Sequence, residues 1–151
     1  MLALAALATT TPVAGALPYN DPYDNYTPTT TSPRADLTVS VRFQSVYHWQ
    51  TGAWEGSKAV VTVKNEGERT AGSFYVRVRS EQRDELGWYM VRGLDHNVSS
   101  LSPGQSLTFE SLYFRRYCWV ELTATADAGK TVSESNEHNN VAFRELQRCK
   151  G

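Results

Sequence analysis

From Asp36 onward the apolar residues of this chain recur at every second position, and that period limits what it can fold into. Leu37, Val39, Val41 and Phe43 alternate with Thr38, Ser40, Arg42 and Gln44. An extended strand puts successive side chains on opposite faces, so the segment reads as a strand with one buried side. The alternation returns at Ala59, Val61 and Val63, and again at Phe74, Val76 and Val78. Shorter strands are predicted at Trp88 to Val91, around Leu107 and Phe109, at Tyr117 to Asp127 and at Val141 to Leu146. Between them stand Asn65-Glu66-Gly67, Ala71-Gly72, Ser102-Pro103-Gly104, Ala128-Gly129 and Asn139-Asn140, residues that accept positive φ or fix a tight reversal. No window of a dozen residues carries a helical stripe. Seven short strands spaced roughly 8 to 12 residues apart form the pattern of an all-β, two-sheet β-sandwich, with an open barrel as the alternative. Leu37, Val39, Val61, Val63, Phe74, Val76, Leu107, Phe109, Leu122 and Phe143 are expected to face its interior.

The segment before these strands has a different character. Met1 to Ala8 reads MLALAALA and is followed by TTTPVAGA, in which Pro12 breaks a helix and Ala14 and Ala16 are small. This is the apolar run and cleavage pattern of a secretory signal over residues 1–16, cut after Ala16, although the basic start of such a signal is missing. The run is far short of the roughly 20 residues that span a bilayer, and no later stretch reaches that length, so no membrane span is expected. Residues 17–33, LPYNDPYDNYTPTTTSP, offer almost no aliphatic side chain to bury and read as a solvated Pro/Thr/Tyr-rich leader. One domain remains, residues 34–151. It holds all 15 basic residues and 14 of the 16 acidic ones, Asp21 and Asp24 being the only charges before Arg34. That balance argues against a nucleic-acid partner, which would call for a basic excess. Asn25-Tyr26-Thr27 and Asn97-Val98-Ser99 match the N-glycosylation triplet.

Four segments, in order, carry a resemblance: Ala35-Asp36-Leu37-Thr38-Val39, Val61-Thr62-Val63-Lys64-Asn65-Glu66-Gly67, Leu101-Ser102-Pro103-Gly104-Gln105-Ser106, and Val132-Ser133-Glu134-Ser135-Asn136-Glu137-His138-Asn139-Asn140. Together they resemble the CARDB domains, cell-adhesion-related domains found in bacteria. The last segment is the most specific, since members of that family commonly show V-x-E-x-x-E-x-N-N there. The likeness runs from about Asp36 to Leu146. His138, the aromatic Tyr47-His48-Trp49 segment and the cysteine pair depart from the family pattern. The resemblance implies an immunoglobulin-like sandwich on a secreted or surface protein, acting as an adhesion or binding module with no shared catalytic site.

The last motif also has a physical reading of its own. A loop crossing from Gly129 to Asn140 leaves backbone N–H groups unpaired, and Glu134, Glu137, Asn139 and Asn140 can accept those bonds or tolerate left-handed φ. The functional reading is a calcium site built from Asp127, Glu134 and Glu137 with the Asn136, Asn139 and Asn140 carbonyls. The spacing does not follow the EF-hand pattern, so these residues are assigned to a structural turn and no metal is assigned.

Two cysteines in an exported chain suggest one disulfide. If Asp127 faces Asn140 across the last hairpin, the same register sets Cys118 opposite Cys149, on the face shared with Val120, Leu122 and Phe143. Catalytic chemistry has little to stand on. His48, His96 and His138 are far apart in sequence, none sits in a nucleophile elbow, no H-x-x-x-H pair is present, and no glycine loop cradles phosphate. No catalytic residue and no cofactor are assigned.

Binding rests on aromatics outside the core alternation, namely Tyr47, Trp49 and Trp54 in the first inter-strand loop and Trp88 with Tyr89. Flat exposed rings are the usual platform for sugars or protein hot spots. Trp119 shares parity with Glu121 and Thr123 and is a further outward candidate, while Arg77, Arg79, Arg83, Arg115 and Arg116 read as a solvated face. The expected partner is a protein or glycan at a cell surface. A secreted inhibitor or toxin-like effector acting on a protein is the alternative.

Overall fold

The computed structural model describes residues 32–83, 86–115 and 118–147. The signal assigned to residues 1–16, the leader at 17–33 except for Ser32 and Pro33, and Cys149 lie outside the described residues. The described part is all-β, with seven antiparallel strands: β1 (Leu37–Tyr47), β2 (Trp54–Asn65), β3 (Phe74–Arg83), β4 (Tyr89–Val98), β5 (Ser106–Phe114), β6 (Trp119–Thr125) and β7 (Val141–Gln147). They form a three-stranded sheet, β1-β2-β5, packed on a four-stranded sheet, β4-β3-β6-β7. This is the expected sandwich.

Period two carries through to burial. Leu37, Val61 and Val63 from the smaller sheet meet Phe74, Val76, Val78, Val120, Leu122 and Ala124 from the larger one, all buried. Each fully buried aliphatic side chain contributes about 1.5–3 kcal/mol by leaving water. The sandwich closes along one side, where the Arg144 Nε donates to the Val41 carbonyl at 3.2 Å. Along the other side, β4 and β5 meet mainly through His96. Its ring lies 4.1 Å from that of Phe109, centroid to centroid, and its Nε2 is 3.1 Å from the Ser111 hydroxyl.

That open side corrects part of the expected core. Leu107 points inward by parity but is 40% exposed, because β5 is the edge strand of its sheet. Val39 and Phe109 are half-buried against the core. The strand expected at Trp88 to Val91 is the longer β4, whose edge position leaves nearly all of it exposed.

The last hairpin corrects the rest. Thr125 pairs with Val141 and Thr123 with Phe143, one residue out of the expected register. The cause is Asp127, which adopts φ 43° and already belongs to the turn. Its carboxylate accepts from the Thr131 and Val132 backbone N–H groups at 3.0 and 2.8 Å, and the hairpin closes one residue earlier, through Ala126 N–H and the Asn140 carbonyl. A one-residue slip moves side chains to the other face. Phe143 therefore sits on the outer face and is 54% exposed. The register from which the Cys118–Cys149 opposition was expected is therefore one residue off, and Cys149 itself lies outside the described residues.

Candidate functional site

Chain reversals place the aromatic candidates. Tyr47 pairs with Trp54 at the tip of the β1–β2 hairpin, and Arg83 pairs with Tyr89 at the tip of the β3–β4 hairpin. Ser57 pairs with Phe114, so β5 finishes beside the first tip, and Trp119 pairs with Arg83, so β6 starts beside the second. Only four residues separate Phe114 from Trp119, so both tips lie at one pole of the sandwich.

At that pole Trp49 is 85% exposed, Trp88 73% and Trp54 37%, and Tyr47 and Tyr89 are exposed as well. Rings of this size seldom stay in water without a use. The loop holding Trp49 is ordered by His48, whose Nδ1 accepts from the Gln50 and Thr51 N–H groups at 3.3 Å, and by Gly52, which takes φ 67°. Close approach of β5 at this end requires Gly56, where a Cβ would lie 2.5 Å from the Phe114 carbonyl oxygen.

A second cluster was less visible in the sequence. The Arg83 guanidinium lies 5.2 Å from the Trp119 ring centroid and 6.0 Å from that of Tyr89, and the Trp119 indole N–H donates to Glu145 at 2.9 Å. Trp119 thus faces outward, as its parity with Glu121 and Thr123 required. A hydrogen bond to the Glu81 carboxylate raises the Tyr89 hydroxyl above its ordinary value. Alternation marked Arg83 only as solvated. Its two ring partners come from strands on either side, and no local pattern reveals them.

The opposite pole holds the Glu134 loop. Glu134 is buried; its Oε2 accepts from the Leu37 N–H at 2.5 Å and its Oε1 from the Asn140 side-chain amide at 2.7 Å. Burial pushes this carboxyl up to about 7, against the pull of those two bonds. Glu137 accepts from the Glu134 N–H at 3.3 Å, and the Asn139 amide donates to Asp36 at 2.7 Å. Nearby, the buried Asn65 amide accepts from the Asp36 and Gly67 N–H groups and donates to the Arg69 and Leu101 carbonyls. The arrangement ties β1 to the loops.

The His96–Ser111 pair is the nearest approach to a nucleophile and base. Desolvation lowers the His96 pKa. Asp95, the adjacent carboxylate, lies on the other face of β4 and gives both oxygens to Arg77 at 2.9 Å, which depresses its pKa. It therefore does not orient the imidazole as a triad would require.

The CARDB family profile matches residues 34–144, most of the chain, with β1 to β6 and the first four residues of β7. The chain belongs to the CARDB family. Among solved structures, this CARDB chain is similar to the CARDB domain of the PF1109 protein from Pyrococcus furiosus, crystallised in complex with di-metal ions. The two share 29% identity with a TM-score of 0.52, over 78% of this chain and 96% of that one. A further similarity is to the ApaA protein of Bordetella pertussis, at 16% identity and TM-score 0.49, over 76% of this chain and 94% of that one. No curated protein matches the chain. CARDB domains form a non-catalytic, adhesion-related family.

Proposed function

We propose that this CARDB domain is an exported binding or adhesion module that engages a protein or glycan at a cell surface through its aromatic pole. One observation carries the reading: Tyr47, Trp49 and Trp54 from one sheet and Trp88 and Tyr89 from the other emerge at the same end, all exposed. Export rests on the apolar run and small-residue cleavage pattern of residues 1–16. A Cys118–Cys149 disulfide belongs to the same proposal, supported by the absence of a free thiol among the described cysteines.

The metal ions named for the Pyrococcus domain belong to that protein, and no metal is assigned to the residues of this chain. Among the described residues no group of three or more His, Cys, Asp or Glu is placed to hold a metal. In the family's loop motif, both Glu134 oxygens already accept N–H donors. The loop is therefore read as a structural turn.

The test uses the full chain expressed with its own N-terminus. Recovery from the medium starting at Leu17, with neither cysteine open to alkylation before reduction, supports export and the bridge. Co-sedimentation with cell envelopes should weaken at least tenfold in a Trp49→Ala, Trp88→Ala double variant. Unchanged sedimentation would remove the pole from the account.

A further inference from the structure

The outer face of the four-stranded sheet carries a pattern that the fold does not need. Register sets its side chains in rows across β4, β3, β6 and β7. Nearest the pole, Arg83 stands between Tyr89 and Trp119. In the next row Glu81 faces Glu121, and Glu121 faces Glu145. Then Arg79 stands between Gly93 and Thr123, with Phe143 beyond, and Arg77 between Asp95 and Thr125. Like charges set directly opposite each other across strands are unfavourable, so the Glu row adds nothing to stability by itself.

Two hollows lie on this face, either side of the Arg77 and Arg79 side chains. One, of about 370 Å³, is lined by these arginines with Glu81, Glu121, Thr123 and Thr125. The other, of about 420 Å³, is lined by the same arginines with Gly93, Leu94 and Asp95. Both are open depressions rather than enclosed cavities, so an occupant would lie along the face rather than be engulfed. Gly93 is the independent observation. Glycine inside a strand marks a bulge, a bend or the close approach of another molecule. Here the β3–β4 register runs unbroken through Gly93, its φ lies outside the left-handed region, and an added Cβ would come no nearer than 3.8 Å to any atom. Local structure therefore does not require glycine, and its missing side chain leaves the second hollow open.

We propose that this trough is a binding site for a neutral carbohydrate chain, a surface distinct from the aromatic pole. Charge excludes the simpler ligands. An anion drawn to Arg79 meets Glu81 and Glu121 in the adjacent row, and a cation drawn to the glutamates meets Arg79. Arg77 is already neutralised by Asp95. A ligand that offers hydroxyl donors and acceptors on neighbouring carbons satisfies both rows at once, because guanidinium only donates and carboxylate only accepts. The Thr123 and Thr125 hydroxyls do either. Phe143, exposed in the same row beyond Thr123, offers an apolar surface beside the hollow for the flat face of a sugar ring.

Native-gel affinity electrophoresis of the full chain tests this, with hydroxyethylcellulose, xyloglucan, galactomannan and mixed-linkage β-glucan as neutral polymers and heparin as the polyanion. At least one neutral polymer should retard the protein, with a dissociation constant that changes less than twofold between 50 and 500 mM NaCl on the screening argument. Arg79→Ala and Gly93→Tyr should each weaken that retardation at least tenfold, and Lys64→Ala, exposed on the other sheet, should leave it unchanged. The Gly93 variant fills open space on an exposed strand, so it tests occupancy without challenging the fold, which circular dichroism confirms independently. Any of three results overturns the proposal: no retardation by any neutral polymer, salt-sensitive binding to heparin alone, or loss in Trp49→Ala with Arg79→Ala and Gly93→Tyr unaffected. The last would leave the pole standing and remove only the trough.

Discussion

Removing Glu134 should destabilise the domain in a way that depends on pH. Glu134→Ala strips the acceptor from the Leu37 N–H and from the Asn140 amide, both at buried residues. A buried donor left unpaired costs about 1–3 kcal/mol, so two cost about 2–6, and relief of the buried carboxyl returns part of that. A net loss of about 3 kcal/mol at pH 5 is expected, or a fall in Tm of about 12 °C for a domain of this size. The carboxyl titrates at about 7 in the fold against 4.5 when free. The folded protein therefore holds a proton that the unfolded chain releases between those values. The contribution is fully present below 4.5 and is lost as pH rises through about 7. Taken in full, the shift is about 3 kcal/mol, and solvent at the loop rim reduces it to about 2. His96 works against it, since a lowered histidine pKa makes stability rise as pH climbs toward 6.5. The comparison is accordingly made against Glu134→Gln, which keeps His96 and removes the titration. Urea unfolding followed by tryptophan fluorescence from pH 5 to 8 should show the wild type losing about 2 kcal/mol relative to the Gln variant. Parallel pH profiles for the two proteins would refute the reasoning, as would an Ala variant that loses more at pH 8 than at pH 5.

Three other outcomes follow from the packing. Leu122→Ala, at a fully buried position, should cost about 2–5 kcal/mol, whereas Phe143→Ser on the outer face should cost under about 1 by the same urea assay. Gly56→Ala forces a methyl to within 2.5 Å of the Phe114 carbonyl oxygen and should cost more than about 1 kcal/mol or shift β5, visible as lost amide protection along that strand. Reduction of the proposed bridge should accelerate hydrogen exchange in β7 before the other strands, because β7 is a short edge strand; an even loss across both sheets would mean that the cysteines act elsewhere.

The strands were legible because burial on one face leaves a local record, the alternation of apolar and polar residues within a single segment. Leu37, Val61, Val63, Phe74, Val76 and Leu122 sit inside for that reason. Parity failed where something beyond the strand decided. At Leu107 the face is right but β5 is the edge strand of its sheet. At Phe143 the register turned on whether Asp127 closes the ladder or begins the turn, and a left-handed φ supported by three hydrogen bonds to Thr131 and Val132 settled it toward the turn. The aromatic candidates could be named from sequence because they fall outside the alternation. Their convergence could not, since it depends on which chain reversals share an end.

The same distinction separates the two poles. At one, polar side chains are used up internally: Glu134, Asp127 and Asn65 spend their acceptors on backbone N–H groups of the first strand and of the loops around it. Such a network rigidifies the end that holds it, while the buried Asn139 and Asn140 side-chain oxygens keep no partner among the described residues. At the other pole, the His48 ring nitrogen and two short backbone bonds between His48 and Gly52 or Ala53 order the loop, and the large rings around it are exposed. A sandwich in which one end is tied by its own polar groups can expose apolar surface at the other without losing its register. The loop motif by which the family is recognised thus fixes β1 at its first residue, while the aromatic rings stand at the other end of the strand. Substitutions in the motif should then weaken binding only as far as they loosen β1, and stability and binding should fall together.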